Sequence, residues 1–376
     1  MEVPLCDPDI RDAEVDAVEE VLRSGWLAHG PKNDEFEEAF ADYVGAEHAV
    51  SLNSCTSALH LAVEANDITG EVILPSFTWV ASANAIVTGG AEPVFVDIDR
   101  ETRNIDPDAV EEAITDETEA IMVVHYGGLA CDMDRIMAIA DEHDLHVIED
   151  SAETIGGTYD GQVAGTFATG CYSFYPTKNI TTAEGGVLTT DDEELAEEVR
   201  TLLGHGVPST TFDREDADKS WFRAATKAGY NFRMSNVHAA LGVEQMERLD
   251  EMNAARQEHA AYFDETLADV DGIETPTVPD GREHVYQMYT VLTGAGIDRG
   301  KLLERMNDAG VGASAHFYPP VHEQPRYEGP EYQRHDLSTT EQVARDIVTL
   351  PMYPTMTAEE REYVVETLVN TLDDLR

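Results

Sequence analysis

Basic residues are scarce in this chain. Its 376 residues include 24 lysines and arginines against 75 aspartates and glutamates, which gives a formal net charge of −51. Binding to nucleic acid is not expected, because so acidic a surface repels phosphates. At 1 M salt the Debye length is only about 3 Å, so the self-repulsion would be screened there. The composition predicts a cytosolic protein of a halophile, and it makes every cation in a candidate site informative.

Long apolar runs are missing as well. No stretch approaches the roughly 18 apolar residues of a transmembrane helix. The segment Met1–Pro8 has neither the basic region nor the apolar core of a signal peptide. We therefore expect a cytoplasmic protein that does not enter the membrane.

Cysteine is rare, and the motifs of several ligand classes are missing. The four cysteines form no Cys-x-x-Cys pair, so neither a disulfide framework nor a zinc site is indicated. His316 and His322 lie close in sequence, but their spacing does not match a common helical metal pair. The sequence also contains no P-loop and no Gly-x-Gly-x-x-Gly motif, so neither phosphate-binding fingerprint is present.

One lysine stands in an unusual setting. The apolar, strand-like run Cys171–Tyr175 leads into Pro176, which lacks an N–H and ends regular strand pairing. Lys178 follows at this junction of strand and loop, with hydroxyl side chains on both sides. A buried amine there could attack a carbonyl, whereas the alternative is an ordinary loop lysine. Gly185 and Gly186 then predict a tight backbone turn before the next strand.

The interpretation of Lys178 depends on a second strand upstream. Leu145–Asp150 is a short strand of the buried type that ends on Glu149 and Asp150. Ligands of open α/β sheets bind at the carboxyl ends of the strands. An acid at such an end, followed in sequence by a reactive lysine, fits a pyridoxal phosphate (PLP) site. The lysine would hold the aldehyde as a Schiff base, and the acid would keep the pyridine nitrogen protonated.

The motifs Ile148–Glu153 and Ser173–Gly186 resemble those of the DegT/StrS family of PLP-dependent sugar-nucleotide aminotransferases. The resemblance extends from Gly25–Pro31 to Leu350–Pro354, with several motifs in the expected order. It implies the α/β type I PLP-transferase fold, in which a large domain has a mixed, mostly parallel seven-stranded sheet flanked by helices and a smaller C-terminal domain is α+β. It also implies PLP as the cofactor and a homodimer whose active sites are shared between subunits.

The resemblance implies roles for further residues near the cofactor. Thr56 and Ser57, at the hydroxyl-rich start of a helix, would bind the PLP phosphate; simple helix caps are the alternative. Trp79, just after a strand, would stack on the pyridine ring, and a core tryptophan is the alternative. Ser173 would contact the phosphate. Glu153 stands where the family carries His, Gln or Glu near the phenolic oxygen of the cofactor.

Other residues are implied in contacts with the substrate or across the subunit interface. Asn231 would bind the PLP phosphate in the neighbouring subunit. Arg233 would meet a substrate carboxylate or phosphate, for which arginine is suited, and a salt bridge to one of the many acids is the alternative. The remaining candidate substrate contacts are His316, Tyr318 and Lys32.

The alternation of apolar strands and amphipathic helices up to residue 150 predicts a parallel-rich, doubly wound sheet. The polar segment His205–Phe222 is expected to be a mobile loop. The expected domains are residues 1–249, which bind PLP, and residues 250–376, which form the small C-terminal domain. Local patterns further predict a helix Asp34–Val44 capped by Asn33, a helix Ser235–Leu267, a strand Val311–Phe317 and a capping box at Thr357 and Glu360.

The resemblance to the DegT/StrS family implies an aminotransferase that moves an amino group from glutamate to a keto-sugar nucleotide, of the 4-keto-6-deoxy type, through a Schiff base on Lys178. The freed Lys178 amine would carry the proton from the α-carbon of the amino acid to C4′ of the cofactor. Three alternatives stay open. A PLP-dependent sugar dehydratase is disfavoured, because such family members replace the lysine by histidine. The others are a regulator that keeps the PLP fold without turnover, and an α/β binding protein without PLP.

Overall fold

The computed structural model describes residues 1–208 and 224–375. Most of the predicted mobile loop His205–Phe222 therefore lies outside the described residues. Among the described residues no helix combines the length and the apolar character that a membrane crossing requires. The helices are α1 (Asp12–Ser24), α2 (Pro31–Val44), α3 (Cys55–Ala65), α4 (Val80–Gly89), α5 (Pro107–Ala113), α6 (Met133–His143), α7 (Glu193–Leu203), α8 (Asn236–Met246), α9 (Leu249–Leu267), α10 (Arg299–Asp308), α11 (Ser338–Asp346) and α12 (Ala358–Leu375).

The strands of the described chain form one large sheet and two small ones. They are β1 (His48–Leu52), β2 (Glu71–Pro75), β3 (Glu92–Val96), β4 (Thr118–Val124), β5 (His146–Asp150), β6 (Thr158–Tyr159), β7 (Gln162–Val163), β8 (Thr169–Ser173), β9 (Gly186–Thr190), β10 (Ile273–Glu274), β11 (Arg282–Glu283), β12 (Tyr289–Thr293) and β13 (Ile347–Leu350). The large sheet has the order β1-β9-β8-β5-β4-β2-β3. Only β9 runs antiparallel to its neighbours, β1 and β8. The predicted mixed, mostly parallel seven-stranded sheet is confirmed.

Helices cover both faces of the large sheet, which is why its central strands are apolar throughout. Successive side chains of a strand point to opposite faces. Accordingly, Val72 and Leu74 of β2 pack with α3, α4 and α7, whereas Ile73 packs with α5 and α6. The parallel strands β4, β5 and β8 end side by side, so their carboxyl ends form one edge of the sheet.

A second core forms around the sheet β10-β12-β13 and the helices α9, α10 and α12. The first residues of the chain complete it. The Val3 N–H donates to the Gly310 carbonyl at 2.8 Å, the Gly312 N–H donates to the Val3 carbonyl at 2.8 Å, and the Met352 N–H donates to the Leu5 carbonyl at 3.1 Å. The N-terminal segment is therefore joined to the C-terminal part of the fold. The division into domains at residue 250 stays a prediction.

The predicted helix Ser235–Leu267 is wrong in one respect, because it is two helices, α8 and α9. Arg248 leaves the helical conformation between them, at φ −116° and ψ 3°. Its guanidinium donates to the carboxylate and the carbonyl of Asp9 at 2.7 and 2.9 Å, and it also contacts the buried Glu14. The acids that hold Arg248 lie far away in sequence, so apolar periodicity could not indicate this break.

The predicted strand Val311–Phe317 is also wrong. The segment forms only isolated bridges, to Val3 at its start and to Thr349 further along. The side-chain amide of Asn307, on α10, donates to the Ala313 carbonyl of this segment at 2.9 Å and accepts from the Ala313 N–H at 3.4 Å. A side chain therefore takes the backbone groups that a strand ladder would need.

Candidate active site

A cavity of about 530 Å³ opens at the carboxyl ends of β4, β5 and β8. This volume lies in the range of small-molecule and cofactor sites. The start of α3 and the segment before α4 form part of its wall, and residues from the second core close it. It brings together seven of the residues predicted for the site, namely Thr56, Trp79, Asp150, Glu153, Ser173, Lys178 and His316.

Lys178 reaches this cavity from the loop that follows β8. Its backbone N–H donates to the Tyr175 carbonyl at 2.9 Å, which closes a turn around Pro176. The amide of Gln287 donates to the carbonyl of Thr177 at 2.8 Å and so anchors the same loop. The Lys178 side chain is 15% exposed, and its Nζ lies 3.2 Å from a carboxylate oxygen of Glu153. The turn therefore presents a single, partly buried amine to the cavity.

Glu153 is held between this amine and the backbone. Its Oε2 accepts the Gly127 N–H at 2.9 Å, and its Oε1 faces Lys178. Gly127 has φ +64°, in the left-handed region where glycine carries no side-chain penalty. Both carboxylate oxygens of the buried Glu153 thus have a partner, which fixes the side chain beside the amine.

Asp150 is the last residue of β5 and is 5% exposed. Its Oδ2 accepts from the Ser82 hydroxyl at 2.8 Å, and its Oδ1 accepts the Ala152 N–H at 3.2 Å. Burial raises the pKa of Asp150, although these two hydrogen bonds act in the opposite direction. Within the described part of the chain Asp150 forms no ion pair. A cationic ligand group at this position would stabilise its charged form.

The start of α3 forms another wall of the cavity. Ser54 caps the helix, and its Oγ accepts the Ser57 N–H at 3.1 Å. The Ser57 hydroxyl donates to the Asn53 side chain at 2.7 Å, so both polar groups of Ser57 serve the cap. Thr56 is exposed instead and lines the cavity together with Cys55. The free N–H groups of a helix start suit an anion, and here they border the same cavity as Lys178.

Gly185 and Gly186 allow close packing near the start of α3, and they do not form the turn that was predicted for them. Neither Gly185 nor Gly186 has a positive φ, whereas Ala183 has φ +69°. A Cβ on Gly186 would come within 2.4 Å of the Cys55 nitrogen, and a Cβ on Gly185 within 2.3 Å of the Thr182 hydroxyl oxygen. The prediction of a glycine turn is therefore wrong. Gly186 allows β9 to pack directly against the start of α3, and Gly185 leaves room for the Thr182 side chain.

Three further predicted residues border the cavity. Trp79 precedes α4 and is 62% exposed, with its ring centroid 6.3 Å from that of Phe317. Ser173 is the last, buried residue of β8. His316 shares a hydrogen bond of 3.1 Å with the Thr349 hydroxyl, and burial lowers the pKa of this imidazole. An exposed aromatic ring beside a cavity is placed to stack on a planar ligand.

The other five predicted residues do not line this cavity of the described chain. These are Lys32, Ser57, Asn231, Arg233 and Tyr318. Lys32 lies in the first turn of α2, and its Nζ is 2.5 Å from a Glu35 carboxylate oxygen. The helix begins at Pro31, earlier than predicted, because proline suits the first helical position. Asn33 is not its N-cap; its side-chain oxygen accepts the N–H of the capping residue Gly30 at 3.0 Å.

Asn231 and Arg233 lie together near the surface. The Arg233 Nη2 donates to the Asn231 side-chain oxygen at 3.0 Å, and its Nε donates to the same oxygen at 3.3 Å. Tyr318 is half exposed, and the guanidinium of Arg299 lies 4.3 Å from its ring centroid. The roles that the resemblance implies for these three residues stay predictions.

Sequence reasoning missed two contributions to the site. Ser82, which donates to Asp150, follows Trp79 by three residues on α4, and this helical spacing could have indicated it. Leu5 and Cys6 also line the cavity, and the Cys6 thiol lies 3.7 Å from the Pro176 carbonyl oxygen. No local signal marks the N-terminal pair, because long-range backbone pairing brings it there.

Comparisons with known proteins agree with this architecture. A model of the DegT/DnrJ/EryC1/StrS aminotransferase family matches residues 8–369. The spore coat polysaccharide biosynthesis protein SpsC of Bacillus subtilis is 40% identical over 372 residues, which are 97% of this chain and 95% of SpsC. The aminotransferase TlmJ of Streptoalloteichus hindustanus matches with a TM-score of 0.92 at 33% identity, over 99% of both chains. PseC of Helicobacter pylori, an aminotransferase involved in pseudoaminic acid biosynthesis, matches with a TM-score of 0.93 at 27% identity, over 100% of both chains.

Proposed function

The chain belongs to the DegT/DnrJ/EryC1/StrS aminotransferase family, and from this premise we propose that it transfers an amino group from glutamate to a keto-sugar carried on a nucleotide, with PLP as cofactor. Its fold is the type I fold of PLP-dependent sugar aminotransferases. The observation that carries the proposal is the meeting of the Lys178 amine and the buried Asp150 carboxylate in one cavity, at the edge of the sheet where ligands of α/β proteins bind.

The residues around the cavity fit PLP. Asp150 is a buried carboxylate without an ion pair in the described chain, as a protonated pyridine nitrogen requires of its partner. Lys178 supplies the amine that would hold the aldehyde. The start of α3 at Thr56, with Ser173 nearby, would hold the phosphate, and Trp79 would cover the ring. When bound, PLP supplies an electron sink for the carbon that loses a proton.

Lys178 is the group that would move this proton. In the proposed reaction its amine takes the proton from the α-carbon of glutamate and later delivers one to the carbon of the keto-sugar that receives nitrogen. Glu153, 3.2 Å away, orients the amine towards the cavity. Asp150 stays ionised beside the pyridine nitrogen. The apolar residues Met288 and Phe317 help to exclude water around the reacting carbon.

The names of similar proteins support a sugar as the substrate of this proposed reaction. SpsC is named for spore coat polysaccharide biosynthesis, and PseC for the biosynthesis of pseudoaminic acid. We propose the 4-keto-6-deoxy type of sugar, a homodimer with a shared active site, and the cytoplasm of a halophile as the setting. Three predicted residues do not line the cavity of their own chain, namely Asn231, Arg233 and Lys32. In the dimer they would contribute to the active site of the neighbouring subunit or bind anionic groups of the substrate. Tyr318 would lie at the rim of the site.

An absorbance spectrum tests the central part of the proposal. The purified protein, in molar salt with added PLP, is expected to be yellow and to lose this colour when glutamate is added. A colourless protein would overturn both the cofactor and the function. A yellow protein whose spectrum ignores glutamate would overturn the amino donor. Nucleotide-linked 4-keto-6-deoxy sugars would then be tested for restoring the yellow colour after glutamate.

A further inference from the structure

A second group of ligand-type side chains lies apart from the cavity. It consists of His322, Glu323 and Glu341, none of which lines the cavity in the described chain. Candidate ligand atoms of the three side chains all lie within 4.8 Å of one another. His322 and Glu323 belong to the short 3-10 turn that contains residues 321–323, and Glu341 lies on the first turn of α11.

His322 is buried, and one of its ring nitrogens has no hydrogen-bond partner in the described part of the chain. The residue is 3% exposed. Its Nδ1 lies 2.7 Å from the Ser76 hydroxyl oxygen, which also accepts the His322 backbone N–H at 3.1 Å. Among the residues that the structure describes, the Nε2 has no hydrogen-bond partner, since Glu341 Oε1 lies 3.8 Å away, beyond hydrogen-bond distance. A buried polar nitrogen without a partner is uncommon and asks for an explanation.

The geometry points to a divalent cation between these side chains. We propose that His322 Nε2 and the carboxylates of Glu323 and Glu341 bind one transition-metal ion that accepts nitrogen and oxygen ligands, such as Zn²⁺ or Co²⁺. Metal–ligand bonds to such atoms are about 2.0–2.2 Å long, so two ligands 3.8 Å apart can share one ion. Water completes the coordination.

The surroundings of His322 match those of a metal-binding histidine. Such a histidine donates its other ring N–H to an oxygen that fixes the tautomer and the ring orientation. Ser76 Oγ lies at hydrogen-bond distance from Nδ1, so the tautomer with its proton on Nδ1 donates to Ser76 and presents the Nε2 lone pair to the ion. The second oxygen of Glu341 interacts with Arg345 at 3.4 Å, so its Oε1 is directed at His322.

The ion would connect three segments beside the cavity, namely the end of β2, the 3-10 turn and α11. Ser76 directly follows β2 and precedes the segment that ends in Trp79. Its carbonyl accepts the Val321 N–H at 3.0 Å, so the 3-10 turn is already attached to it. The ion adds α11 to this attachment through Glu341. We therefore expect a structural ion that stabilises the wall formed by Trp79 and Phe317, and no part for it in the proposed amino transfer.

A titration with Co²⁺ tests the site. The full chain is treated with EDTA, kept in molar KCl so that loose binding to exposed acids is screened, and titrated with CoCl₂ alone. We expect one Co²⁺ per chain, a visible absorption band and a higher midpoint of thermal unfolding. Glu341→Gln and Glu323→Gln, at partly exposed positions that tolerate amides, should each weaken binding by about tenfold or more. Glu331→Gln, an exposed residue on a neighbouring 3-10 turn, is the matched control and should bind as the wild type does.

The variants distinguish a specific metal site from nonspecific binding of the ion to exposed acidic residues. His322→Gln should abolish the visible band, and if it does not fold, the two glutamate variants still decide the question. No rise in the unfolding midpoint with Co²⁺ and then Zn²⁺ would overturn the proposal. A visible band and a thermal shift of the same size in the wild type, Glu341→Gln and Glu323→Gln would overturn it as well. Neither result depends on whether the cavity binds PLP.

Discussion

Replacing Asp150 by asparagine separates the charge of this residue from its shape. The amide has the same size, and its oxygen can still accept from Ser82. The carboxylate of Asp150 is 5% exposed and forms no ion pair in the described chain, so a pyridine nitrogen bound there would form a buried charge pair with it. Removing one partner of such a pair costs about 3–5 kcal/mol. Since about 1.4 kcal/mol is tenfold in rate, the reaction with glutamate should slow by about 10²- to 10⁴-fold.

The same substitution should not destabilise the protein without PLP. Burial raises the pKa of Asp150 above its unfolded value. The contribution of this carboxyl to stability is therefore present below its unfolded pKa and is lost as the pH rises through the folded pKa. At neutral pH the ionised form carries a cost that asparagine avoids, and this offsets the loss of the hydrogen bond from the Ala152 N–H to Oδ1. Asp150→Asn is expected to unfold at the same temperature as the wild type or above it when PLP is absent.

Stopped-flow absorbance of the PLP-loaded protein with glutamate measures the rate, and thermal unfolding with and without PLP measures the stability. Ser82→Ala keeps the charge of Asp150 but removes one hydrogen bond to it. That bond is worth about 1.5–3 kcal/mol, so its effect should be smaller. Asp141→Asn, at an exposed position of α6, is the matched control for a lost surface charge. An Asp150→Asn rate within about threefold of the wild type would refute the assigned role.

Three further predictions follow from the site and the composition. Lys178→Ala should leave no measurable transamination, and turnover in this variant would exclude the amine as proton carrier. Gly186→Ala should lower the free energy of unfolding by about 1–3 kcal/mol and weaken PLP binding, because its Cβ would lie 2.4 Å from the Cys55 nitrogen. Urea unfolding and a PLP titration measure both effects, with Gly300→Ala, on α10, as a control that should be close to neutral. Lowering KCl from about 1 M to about 0.1 M lengthens the Debye length from about 3 to about 10 Å, so the net charge of −51 should lower the unfolding midpoint. An equally stable protein at both concentrations would contradict a halophilic origin.

The centre of the site was predictable because short-range rules govern it. Asp150 ends the buried strand β5, and Pro176 follows the neighbouring strand β8 shortly before Lys178. The capping box was equally local: the Thr357 N–H donates to the Glu360 carboxylate at 2.7 Å, and the Glu360 N–H donates back to the Thr357 hydroxyl at 3.2 Å. In each case the residues that decide the structure are neighbours in the sequence.

The errors arose where distant residues decide the local structure. Arg248 interrupts a periodic helix because its acidic partners lie near the start of the chain. The carboxylate of Glu341 reaches His322 from another helix, so no spacing along the chain could reveal that cluster.

The N-terminal segment has a consequence for the order in which the protein is made. Val3 pairs with Val311, and Leu5, which lines the cavity, is held by Met352. A ribosome adds about 5–20 residues per second, so the segment waits roughly 15–60 s before its partner is translated. During this interval the large sheet, with the strand β5 that ends at Asp150, can fold. The wall of the cavity that Leu5 forms cannot. A nascent chain should thus gain its central sheet well before it can enclose a ligand.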